Sequence, residues 1–147
     1  MSDHVRQTEP FRWDGVEVRP YKAVGSHFAG VTRQVLFEGG DGLACQLRYF
    51  EIAPGGWSSL ERHHHAHAVM IVRGGGRVLV GSRVFDAAVN DLVRVPSLTW
   101  HQFRATDSAP LGFLCVVDCE RDVPERPDAA ALAALRSDPA CAAFLRV

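Results

Sequence analysis

Pro54-Gly55-Gly56-Trp57-Ser58-Ser59-Leu60-Glu61-Arg62-His63-His64-His65-Ala66-His67 decides the reading of this chain, together with Val95-Pro96-Ser97-Leu98-Thr99-Trp100-His101 further on. In an extended strand, side chains alternate faces with period two. Positions 61, 63 and 67 then share a face, provided that no bulge intervenes. Imidazole suits zinc, copper, iron and nickel, and a carboxylate adds affinity for harder divalent ions. Glu61, His63, His67 and His101 are therefore the candidate ligands of one divalent transition metal per chain, whether Fe, Mn, Ni, Zn or Cu. Such a set leaves octahedral positions open to water, oxygen or substrate.

The spacing resembles that of the cupin family, whose first motif reads G-(x)5-H-x-H-(x)3-E-(x)6-G and whose second reads G-(x)5-P-x-G-(x)2-H-(x)3-N. With Gly55 at the first glycine, Glu61, His63, His67 and Gly74 fall on the next fixed positions without a gap. With Asn90 at the second motif's glycine, Pro96 and His101 fall equally well. The resemblance covers roughly residues 43 to 118 and implies an all-β fold, a double-stranded β-helix or jelly-roll barrel. Departures are specific. Glu61 stands where the family has histidine, His67 where it has glutamate, and Asn90, Leu98 and Ala105 replace two glycines and an asparagine. Asn tolerates a left-handed conformation; Leu98 implies a different loop shape beside His101.

The rest of the chain agrees with a single barrel domain. Short runs rich in Val, Leu, Phe and Tyr, broken by Gly, Pro, Asn and Asp, predict strands at 16–21, 31–38, 43–52, 60–73, 77–80, 83–87, 92–95, 101–105 and 111–119. Residues 1–15 read as a mobile or partner-dependent lead-in, 16–120 as the barrel, and 121–147 as a tail with short helices. In that tail Asp128 and Asp138-Pro139 are helix starts, and Leu132, Leu135, Phe144 and Leu145 are the apolar contacts that dock it. Cys115 and Cys119 share a parity and read as core thiols.

Net charge of −1 over 147 residues offers no polycation for nucleic acid and no basic patch for a membrane. The polar start from Met1 to Pro10 lacks the apolar core of a signal peptide, so a cytoplasmic setting is the expectation. An open β edge near residues 12–21 suggests a homodimer.

Around the ligands, His65 shares their parity and is an acid/base candidate, unless the segment bends and turns it elsewhere. Phe103 shares the parity of His101 and should line the cavity; Trp57 and Trp100 should stand near its mouth. Arg48 could pair with a substrate carboxylate if its face of the strand is interior. Leu43, Cys45, Leu47 and Tyr49 make an equally good inward set, which leaves that face open. The resulting expectation is a metal-dependent enzyme acting on a small organic molecule, dioxygenase-like. The alternatives are a non-redox isomerase, lyase or decarboxylase, or a non-catalytic small-ligand or metal-sensing module.

Overall fold

The computed structural model describes residues 2–147. A short hairpin, β1 (Gln7–Glu9) and β2 (Arg12–Trp13), precedes the strands β3 (Arg19–Pro20), β4 (Ala29–Phe37), β5 (Cys45–Trp57) and β6 (His67–Val80). There follow β7 (Arg83–Ala88), β8 (Leu92–Val95), β9 (His101–Ala105), β10 (Leu111–Asp118), and two helices, α1 (Ala129–Arg136) and α2 (Pro139–Phe144). All strand pairings are antiparallel.

The first half of β6 lies between β8 and β10, and that layer continues through β5 and β4 to the short β3. The second half of β6 pairs with β7 and β9, and β9 meets the end of β5 at Arg104 and Trp57. β6 thus passes from one layer of the barrel to the other through Gly74-Gly75-Gly76. Gly74 has φ +64°, and a Cβ there would collide with the Pro110 carbonyl oxygen; at Gly76 it would strike that of Arg104. The expected strands 60–73 and 77–80 are in this way one continuous strand from His67, while residues 60–66 leave the sheet.

Alternation of apolar side chains explains the layers. Val69, Ile71, Val93, Val95, Phe113, Cys115 and Val117 point into the core, and Met70, Leu92 and Val116 between them are exposed. On β5, Arg48 and Phe50 face the interior, which resolves the two possible faces of that strand. Tyr49 on the outer face is nevertheless fully buried, because Phe11 stacks on its ring at 5.3 Å and Trp13 packs beside it. Within the lead-in, residues 7–13 form a hairpin fastened to the outside of the barrel, with the Gln34 amide donating to the Phe11 carbonyl at 3.0 Å.

The tail folds as its caps predict. Asp128 accepts from the Ala131 N–H, and Asp138 accepts from Ala140 and Cys141. Phe144, Leu145 and Cys141 bury against Leu60 and Leu79, flanked by Leu132, Leu135 and Trp100. Trp100 belongs to this cluster, under the Arg62 guanidinium at 4.6 Å. The Gln102 amide donates to the carbonyls of Ser58 and Arg146, tying the tail to β9. Cys119 lies beyond the end of β10 and is exposed, so only Cys115 of that pair is a buried thiol.

Among the described residues, no helix is long and apolar enough to cross a membrane. Phe144 is the side chain on which tail docking depends: Phe144→Ala should cost about 3–5 kcal/mol, measured by urea unfolding. A loss below ~1 kcal/mol would mean that the tail contributes little to the core.

Candidate metal centre

Two backbone ties bring the ligand segments together. Glu61 and His101 exchange N–H to carbonyl hydrogen bonds of 3.2 and 3.0 Å, and the Leu98 N–H donates to the His63 carbonyl at 2.7 Å. Leu98 itself has φ +53°, so it keeps the left-handed turn that glycine would adopt instead of reshaping the loop. Asn90 takes φ +76°, as its side chain permits. The segment bends at His64-His65, where the Asp122 carboxylate accepts both backbone N–H groups at 2.8 and 3.1 Å. His63 and His67 reach one cavity across this bend, not along one face of a strand.

The ligand nitrogens of His63, His67 and His101 all lie within 4.8 Å of one another. His63 Nδ1 stands 2.6 Å from the His65 carbonyl oxygen and His101 Nδ1 stands 2.9 Å from that of Thr99. A carbonyl can only accept, so both rings carry the proton on Nδ1 and turn a bare Nε2 inward. On His67, Nδ1 faces the Cys115 sulfur at 3.0 Å, and Nε2 stands 3.1 Å from His63 Nε2. Two nitrogens each about 2.1 Å from a shared ion would be roughly 3.0–3.4 Å apart. The donor set therefore fits a first-row transition metal and leaves coordination positions open.

Burial favours the neutral rings that a metal requires. Desolvation, reinforced by the neighbouring imidazoles, lowers His63 to about 4 and His67 to about 2 from the ordinary 6.5. Burial also lowers His101.

The other candidates are distributed unevenly. Glu61 lines the cavity, but its carboxylate lies outside the imidazole cluster and accepts from Lys22 Nζ at 2.5 Å. His65 lines the cavity as well, its ring stacked on His63 at 3.7 Å and its Nδ1 2.7 Å from an Asp122 oxygen. The hydrogen bonds from His64 and His65 hold the Asp122 carboxyl well below the usual carboxylate range. His64 is exposed.

Phe103 forms an aromatic wall with Phe113, centroids 4.7 Å apart, and Arg48 lines the same space. Trp57 stands off the cavity, its indole nitrogen buried without a partner. Cys115, a core thiol by its parity, is buried and lines this cavity. Its partner across the strands is Arg48, and this charged neighbour in an apolar run was the signal that its face is functional. The cavity has a volume of about 230 Å³.

A barrel whose two motif segments converge three imidazoles defines the class. A cupin domain matches residues 48–117. The chain is 56% identical over 136 residues to 1-methylthio-D-xylulose 5-phosphate methylsulfurylase of Rhodospirillum rubrum, covering 92% of this chain and 86% of that one. A crystal structure of a cupin 2 conserved barrel domain protein from Rhodopseudomonas palustris superposes with a TM-score of 0.92 at 53% identity, over 98% of this chain and 99% of that one. A cupin-2 domain from Rhodospirillum rubrum gives 0.87 at 54% identity, over 92% and 91%. This chain belongs to the cupin family. The activity named for that relative is not a dioxygenase's, which favours the alternatives, a non-redox enzyme or a ligand- or metal-binding module, over the dioxygenase expectation.

Two outcomes check this centre. His101→Ala should keep its circular dichroism and weaken metal binding by roughly tenfold or more, whereas Glu61→Gln should retain the metal; equal losses in both would make Glu61 a ligand. In metal-free protein, the unfolded chain takes up histidine protons below about pH 6.5, while folded His63 resists them down to about 4. Stability should therefore decline as pH falls through that window, and calorimetry showing a flat melting temperature would contradict neutral buried rings.

Proposed function

We propose that this chain is a metal-dependent enzyme that uses no oxygen and transfers a methylthio group from a small phosphorylated sugar. The supporting observation is Cys115, the one thiol lining the cavity among the described residues, set against His67 at 3.0 Å. The 56% identity to a methylsulfurylase supports the same reading. A metal held by His63, His67 and His101 would supply Lewis acidity toward a substrate carbonyl.

The chain's own groups supply the rest. The Cys115 thiol gives up its proton to His65 within the cavity, and its sulfur attacks the methylthio sulfur and forms an S–S bond. The carbon–sulfur bond breaks, and its electron pair passes to the carbon beside the carbonyl. His65, oriented by ionised Asp122, delivers a proton to that carbon. A small thiol then takes the methylthio group from Cys115 and restores the free thiol.

The test is consumption of 1-methylthio-D-xylulose 5-phosphate by metal-loaded protein with a small thiol in anoxic buffer. Turnover should be independent of oxygen. Cys115→Ser should keep its metal and lose transfer, and His65→Gln should slow it by roughly 10²–10⁴. Turnover that requires oxygen, or a wild-type rate in Cys115→Ser, would refute the proposal.

A further inference from the structure

The wall of the cavity carries a second kind of chemistry beside the imidazoles. His67 on β6, Cys115 on β10, Arg48 on β5 and Arg33 on β4 come from four successive strands of one layer and all line the cavity. Cys115 and Arg48 are direct cross-strand partners, and Arg33 sits one diagonal step beyond, since its neighbour Val35 pairs with Arg48. Arg121, just past β10, lines the same space.

These three guanidinium groups are not neutralised. The carboxylates facing the cavity are Glu61 and Asp122, and both are engaged, with Lys22 and with His64-His65. Among the described residues, none of Arg33, Arg48 and Arg121 forms an ion pair. Arg48 is 7% exposed, and its Nε is buried with no partner. One of its terminal nitrogens reaches only the Cys115 sulfur, at 3.5 Å, a weak acceptor. The Nε of Arg33 is likewise buried and unpartnered. Burial and the positive charges of Arg48, Arg19 and Arg121 lower the pKa of Arg33. Arg121 commits one nitrogen to the Asp118 carbonyl at 2.8 Å.

A buried guanidinium without a counter-charge is costly, and a bound anion removes that cost. Three forks converging on one space suit a group with several equivalent oxygens and more than one negative charge, which favours phosphate over carboxylate. We infer that Arg33, Arg48 and Arg121 form a subsite for the phosphate monoester of the substrate, with Arg48 across Cys115 from His67. The inference rests on the reading of this cavity as a substrate site, and it adds the handle by which the molecule is held. Two strand spacings, about 10 Å, separate the backbones carrying His67 and Arg48. A small sugar phosphate anchored toward Arg33 would run along this layer past Arg48 and Cys115 to the imidazoles.

Calorimetric titration of the metal-loaded full chain with inorganic phosphate at constant ionic strength tests this. Wild type should bind phosphate saturably. Arg33→Gln and Arg121→Gln, at half-buried and exposed positions, should each weaken it by about tenfold or more. Arg77→Gln, whose partner is Asp86 outside the cavity, should leave it unchanged. Equal phosphate affinity in all three variants would overturn the subsite, because the ion would then be held elsewhere. Displacement of phosphate by acetate at equal concentration would also overturn it, in favour of a carboxylate site. Phosphate binding that depends on Arg33 and Arg121 in a protein without methylthio transfer would support the subsite and defeat the proposed reaction alone.

Discussion

The site depends on the antiparallel bridge between Glu61 and His101, reinforced by the Leu98 N–H on the His63 carbonyl. Residues 61–66 are not a strand, and no extended ladder holds them in place. These few hydrogen bonds, with the Asp122 clamp on His64-His65, replace it. A left-handed leucine is an uncommon conformation that costs of order 1–3 kcal/mol. Its persistence is explained by the bond it makes, since the same peptide group fixes the carbonyl side of a ligand residue.

The motif spacing was legible because it encodes this tie. Glycines, a proline and His101 mark where backbone must turn and where the two segments must meet, and substitution by Asn90 and Leu98 left both turns intact. Strand periodicity was a poorer guide at the same place. It grouped positions 61, 63 and 67 on one face, but the chain bends between them, and Glu61 turns to Lys22 while the histidines converge. Helix starts in the tail were legible from Asp128 and Asp138-Pro139, because capping is a local interaction.

The rest was hidden because it depends on contacts distant in sequence. Strand β5 reads ambiguously because both of its faces are buried, one by the cavity and one by Phe11 and Trp13 from the start of the chain. A half-buried strand would have shown clean alternation. Cys115 looked like any core thiol because only the register with Arg48 and the approach of His67 give it polar neighbours. Trp100 follows the same logic in reverse. Beside a ligand in sequence, it packs with Phe144 and Leu145 from the far end of the chain.

The exchange of ligand types in the first motif has an electrostatic consequence. Glu61 is matched by Lys22, so the pair adds no net charge to the cavity. The three imidazoles are neutral, their pKa values depressed by burial. A divalent ion on this donor set would keep its full positive charge, whereas each bound carboxylate would cancel part of it. That arrangement favours polarising a substrate carbonyl over stabilising a higher oxidation state. On the function proposed above, a metal at the imidazoles, a central thiol and the unpaired guanidinium groups would suit an anionic substrate whose reactive carbon lies close to a carbonyl.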